Sequence, residues 1–163
     1  RMQAAMQNYP AEAWPKRTSD IAVDNIEDAV TLASIVEKET GVAGERPQVA
    51  SVFVNRLRKG MRLQSDPTVI YAVTGGTAPL NRPLSKADLA LDSPFNTYRQ
   101  KGLPPRPIAH PGAESLAAVL NPETTDALYF VADGSGGHAF ADTLAAHNKN
   151  VARWRKLQKE RAK

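Results

Sequence analysis

The chain contains no cysteine, which excludes disulfides, thiolate metal sites and a cysteine nucleophile together, and leaves the redox compartment open. Its three histidines (His110, His138 and His147) are far apart. None has a second histidine four residues on or a carboxylate at ligand spacing, so no metal or other cofactor is expected. No apolar run approaches the roughly 18 residues that a membrane span requires. The opening Arg1-Met2-Gln3 is neither an initiator methionine nor a leader peptide, so the chain reads as a soluble piece of a longer protein. A serine triad is set aside because no nucleophile-elbow signature is present.

Acidic charge is slightly short, with 17 acidic against 21 basic residues and a net charge of +4. That excess is local. The segment from Arg153 to Lys163 holds six basic residues and one acid, Glu160, which leaves 15 basic against 16 acidic residues elsewhere. A nucleic-acid reader should carry its basic patch on the folded body, so no nucleic-acid partner is expected and residues 153–163 read as a solvated helical tail. The remaining composition, 42% hydrophobic and 23% charged over 163 residues, fits one globular domain with a core of its own.

Along the chain, residues 1–18 are polar and interrupted by Pro10 and Pro15, and read as a linker or short helix. From Ile26 to Thr40, Ala29, Leu32, Ala33 and Val36 share one helical face, with Gly41 as a stop. A second helix is expected over residues 47–59, with Val49, Val52, Phe53 and Leu57 as its stripe and Pro47 in its first turn. Asp66-Pro67-Thr68 reads as an N-cap followed by a proline at the first helical position. Ser85 and Asp88 have capping-box spacing. Five prolines between Asp92 and Gly112 make a rigid loop of the kind that serves binding sites. A helix follows over residues 113–120, then two strands around Asp133-Gly134-Ser135-Gly136-Gly137, and a last helix from near Asp142. The sum is an α+β domain, mostly helical, with a small antiparallel sheet and its main domain over residues 19–152.

The glycine-rich stretch is flanked by strand-like segments and lacks a following Gly-Lys-Ser/Thr, so it reads as a hairpin turn rather than a phosphate loop. Glu37 and Glu39 carry more chemistry. On a wheel of 100° per residue, Lys38 points away from the apolar face and the two glutamates occupy its opposite shoulders. Either carboxylate, half buried beside the core, would have the raised pKa that a general acid needs near neutral pH. Periodicity does not choose between them.

The segment Leu32-Ala33-Ser34-Ile35-Val36-Glu37-Lys38-Glu39-Thr40 resembles the hallmark of the endolytic murein transglycosylase (YceG-like) family. The likeness continues through Val52-Phe53-Val54-Asn55-Arg56-Leu57, Gly60 to Tyr71, Asn96-Thr97-Tyr98 and Gly102-Leu103-Pro104-Pro105. It closes with Tyr129-Phe130-Val131-Ala132, Gly137-His138-Ala139-Phe140 and His147-Asn148. Phe95 stands where tyrosine is expected, and Arg106 and His110 replace smaller or amide residues.

The resemblance implies peptidoglycan glycan strands as substrate and a single catalytic glutamate, matched to Glu37 as the first glutamate of its block. One carboxylic acid suffices where most glycosidases need two. It would protonate the oxygen between N-acetylmuramic acid and N-acetylglucosamine, then take the proton of the muramyl C6 hydroxyl as that oxygen closes on C1 to give a 1,6-anhydro end. Gln64, Asp66, Thr68, Tyr71, Asn96 and Tyr98 are the expected substrate-binding residues. A structural reading is equally open for four of them: Asp66 and Thr68 as caps of the short helix, Asn96 as a holder of the proline loop, and Tyr71 as core. The resemblance further implies a membrane-anchored parent on the periplasmic face of the inner membrane, with peptidoglycan synthases as partners. A non-catalytic peptidoglycan-binding module on the same scaffold is the alternative.

Overall fold

The computed structural model describes residues 2–19 and 21–163, with side chains from Asn8 onward; Arg1, where the expected N-terminal segment begins, lies outside the described residues. That segment forms helix α1 (Met2–Ala13), followed by a 3-10 turn over Trp14–Lys16. Tyr9, Ala13 and Trp14 pack against the core, so this stretch is part of the folded body.

Helix α2 (Ile26–Glu39) is the central element. Asn25 caps its start by accepting from Asp28 N at 2.8 Å, and Glu27 and Asp28 place negative charge at the positive end of the helix dipole. Ala29, Leu32, Ala33, Ile35 and Val36 are completely buried. The helix stops at Glu39 because Thr40 turns extended, its hydroxyl accepting from Val42 N at 3.0 Å. Helix α3 (Arg46–Arg58) buries Val49, Val52 and Phe53, with Pro47 in its first turn as the spacing predicts. Helix α6 (Ala113–Leu120) lays Leu116, Val119 and Leu120 against α2 and α3, which completes the main core.

Between α3 and α6 lie two shorter helices, α4 (Asp66–Thr74) and α5 (Lys86–Leu89). Ser85 and Asp88 form the expected capping box at α5. At α4 the expectation needs correction: Ser65, not Asp66, occupies the N-cap, and Asp66 is the first helical residue. Ser65 makes no side-chain cap because its hydroxyl is turned to Glu39, 2.7 Å away.

Strands β1 (Tyr129–Ala132) and β2 (His138–Ala141) form an antiparallel hairpin with Phe130 opposite Phe140. The glycine-rich stretch is its turn, with Gly134 and Gly136 at φ of 92° and 98°, values that side-chain-bearing residues avoid. Helix α7 (Leu144–Arg161), capped by Thr143, lies along the hairpin. It runs unbroken through residue 153, so the basic segment is the end of a packed helix. The architecture is therefore α+β, helical in the main with one small two-stranded sheet.

Candidate active-site cleft

Glu39, the last residue of α2, lines a cleft of about 470 Å³. Five parts of the fold build the walls: Phe53 and Arg56 from α3, Leu63, Gln64 and Asp66 ahead of and within α4, Tyr98 from the proline loop, Tyr129 and Phe130 from β1, and one face of α7. Glu39 Oε1 accepts from Ser65 Oγ at 2.7 Å. Burial raises its pKa from an ordinary 4.5 to about 7. The Ser65 hydrogen bond pulls the other way, the Asp66 carboxylate adds to the rise, and His138 and Arg56 oppose it. At neutral pH this carboxyl group is poised between donor and acceptor.

Glu37 has another fate. Its Oε1 accepts from Gly112 N at 2.8 Å and its Oε2 from Ser115 Oγ at 2.9 Å. Both donors belong to the start of α6, whose N-cap residue Gly112 has no side chain to cap with. Arg46 Nη2 lies 3.8 Å from the same carboxylate. Glu37 thus fastens the positive end of α6 to α2, and it does not line the cleft. A Cβ at position 112 would stand 3.1 Å from Glu37 Oε1, so glycine there permits the close approach.

The six expected binding residues divide evenly. Gln64, Asp66 and Tyr98 line the cleft. Gln64 adopts a left-handed backbone (φ 50°), uncommon without glycine, and is held there by its own N–H donating to Thr97 O at 3.2 Å. The Tyr98 hydroxyl donates to Asp66 Oδ1, and burial with that carboxylate raises the phenol's pKa, so it stays protonated.

Thr68, Tyr71 and Asn96 stand elsewhere. Thr68 is fully buried, its hydroxyl bonded to Ser65 O (2.6 Å) and to Thr97 Oγ1 (2.8 Å). Asn96, also fully buried, donates to Leu89 O and Leu91 O and accepts from Tyr98 N, which folds the loop that delivers Tyr98. Tyr71 packs its ring 4.7 Å from Phe95, outside the cleft. Arg106 lies 5.0 Å over the Phe95 ring and reaches the Tyr71 hydroxyl at 3.4 Å, so two of the departures from the family pattern touch each other and Tyr71.

Sequence reasoning passed over several lining residues. Arg56 is buried and donates to Leu128 O (2.6 Å), Arg62 O (3.0 Å) and Leu63 O (3.2 Å), tying α3 to the cleft floor. Its guanidinium also lies 5.1 Å over the Tyr129 ring. An arginine on the flank of an apolar stripe was the available signal. His147 stacks on Tyr129 at 4.9 Å, and its Nδ1 is buried without a partner. A bare lone pair in that place costs less than an orphaned N–H, so the neutral ring carries its proton on Nε2. Burial and Arg56 both lower the His147 pKa, which favours that neutral form. Among the described residues no cluster of histidines and carboxylates is arranged to hold a metal, and no helix is long and apolar enough to cross a membrane.

The sequence model of the YceG-like family matches residues 1–153. The chain is 43% identical over 144 residues to the endolytic murein transglycosylase of Bacillus subtilis, which covers 88% of this chain and 37% of that protein. It is 36% identical over 133 residues to the endolytic murein transglycosylase of Streptococcus pneumoniae D39, covering 78% of this chain and 23% of that one. The crystal structure of a YceG-like protein from Listeria monocytogenes superposes with a TM-score of 0.73 at 40% identity, over 90% of this chain and 44% of that one. The chain therefore spans less than half the length of each of these relatives.

Proposed function

Because the chain belongs to the YceG-like family, we propose that it is the catalytic domain of a peptidoglycan lytic transglycosylase whose acid/base is Glu39, with Glu37 as a structural residue. The observation that carries this reading is the placement of Glu39. It is a half-buried carboxyl group lining the cleft, its pKa raised to about 7, while Glu37 is consumed by the start of α6.

Protonated Glu39 donates to the oxygen joining N-acetylmuramic acid to N-acetylglucosamine, and the bond from muramyl C1 to that oxygen breaks. The Glu39 carboxylate then takes the proton of the muramyl C6 hydroxyl, whose oxygen closes on C1. Products are a 1,6-anhydromuramyl end and a new N-acetylglucosamine 4-hydroxyl, and no water is consumed. Glu39 finishes protonated, ready for the next cycle. One group that both gives and takes a proton works best with a pKa near the working pH. Asp66 helps to hold that pKa up, while Ser65 orients the carboxyl group.

The same reading places the longer parent protein at the periplasmic face of the bacterial inner membrane, membrane-anchored and working beside peptidoglycan synthases. Its test is product analysis. Wild type, Glu39→Gln and Glu37→Gln proteins are incubated with uncrosslinked glycan strands, and the new ends are identified by mass spectrometry. Anhydro ends are expected from wild type and Glu37→Gln and not from Glu39→Gln. Reducing ends would replace transglycosylation by hydrolysis. Retention of activity in Glu39→Gln would remove Glu39 from the mechanism, and strands bound but never cut would point to a binding module.

A further inference from the structure

On α7, Leu144, His147, Asn148, Val151 and Arg155 all line the cleft. At 3.6 residues per turn they share one arc of about 100°. A neighbouring face of the helix meets the hairpin turn, where Arg161 Nη2 donates to Gly134 O at 2.6 Å and Leu157 lies against the same glycine. The basic end of the chain is thus anchored, and one of its cations faces the site.

Charge accounting within the cleft singles that cation out. Glu39 is bonded to Ser65, Asp66 to Tyr98, and Arg56 to three backbone carbonyls. Among the described residues that line the cleft, Arg155 is the charged group without a protein partner, and it is exposed. A free guanidinium presents a planar fork that matches a carboxylate.

We infer that Arg155 is a substrate-binding residue, taking a carboxylate borne by the lactyl side of a muramyl residue while the sugars lie over Glu39. The inference rests on the proposed action on peptidoglycan. In such a strand the sugar rings are neutral, and negative charge sits on the lactyl substituent. It is the free lactyl carboxylate where the peptide stem is absent, and the carboxylates of the stem where it is present. Both sources offer the same group within reach of one helix wall.

The test compares wild type, Arg155→Gln and Arg155→Lys on three strand preparations: stem-bearing, enzymatically stripped to the free lactyl carboxylate, and stripped then amidated to neutrality. Wild type is expected to show a KM about tenfold lower on a charged preparation than on the neutral one, with kcat unchanged. Arg155→Gln levels the values, and Arg155→Lys restores part of the difference. An advantage confined to stem-bearing strands assigns the carboxylate to the stem; one shared with stripped strands assigns it to the lactyl group. Equal wild-type KM on all three, or an Arg155→Gln effect as large on neutral strands, overturns the inference. Should no preparation be cut, the cleavage reading fails on its own. Fluorescence anisotropy of the same labelled strands on Glu39→Gln protein, with and without Arg155→Gln, still decides the contact.

Discussion

Glu37 and Glu39 are separated by one residue on α2, yet their carboxylates serve different elements: Glu37 accepts from Gly112 N and Ser115 Oγ on α6, and Glu39 from Ser65 Oγ beside the cleft. Removing the first should therefore cost stability. Glu37→Ala leaves two donors at the start of α6 without their acceptor, and Arg46 without its neighbouring charge, a loss of about 1–3 kcal/mol. Thermal unfolding should show a midpoint lower by several degrees, while the protein that remains folded still produces anhydro ends. A midpoint equal to wild type would sink this assignment.

The raised pKa of Glu39 gives a pH dependence of known sign. Proton donation needs the acid form, so kcat/KM should fall as pH rises through about 7. Stability is linked in the same direction. The folded state holds a proton that the unfolded chain releases near 4.5, so the contribution is fully present below pH 4.5 and is lost as pH rises to about 7. The total is on the order of 3 kcal/mol. Glu39→Gln should flatten this decline in denaturant titrations across pH 4.5–8. An unchanged slope would place the proton elsewhere.

Ser65 tunes the same group. Its hydroxyl donates to the carboxylate and lowers the Glu39 pKa against the effect of burial. Ser65→Ala should therefore move the alkaline limb of the rate profile to higher pH. A shift to lower pH would mean that the hydroxyl acts chiefly on the protonated form.

Asn96 is expected to matter for folding rather than for binding. Its side chain fills both donor positions and an acceptor position with Leu89 O, Leu91 O and Tyr98 N while fully buried. Asn96→Ala should cost about 2–4 kcal/mol in chemical denaturation, since several backbone groups lose their partner at once. Little change in stability together with a large rise in KM would return Asn96 to the substrate.

Much of the fold was legible in local sequence signals. The apolar faces of α2 and α3, the Ser85–Asp88 capping box and the hairpin turn each depend on residues within a turn or two of one another. The α4 N-cap was misplaced by one residue because a hydroxyl that could cap its own helix is claimed by Glu39, 26 positions earlier. Asp66 and Tyr98 could be named as polar residues of matching blocks, but their hydrogen bond to each other crosses 32 positions. Thr68 and Asn96 carry the same kind of side chain, and spacing does not tell a loop-holding amide from one that faces sugar.

The sequence by itself determined the order of elements, the α+β class, the family, and the confinement of candidate acids to two shoulders of one helix. Tertiary structure gave those two shoulders different surroundings, and the proposal of Glu39 over the family-matched Glu37 rests on that difference. On a helical wheel Glu37 and Glu39 are equivalent by symmetry about the apolar face, and only what packs opposite each one breaks that symmetry. The start of α6 lies opposite Glu37 and supplies hydrogen-bond donors, whereas a buried cleft wall lies opposite Glu39 and withdraws water from it. The same holds for the basic end of the chain, where composition reads six cations and the docking of α7 on the hairpin turns one of them, Arg155, into the cleft.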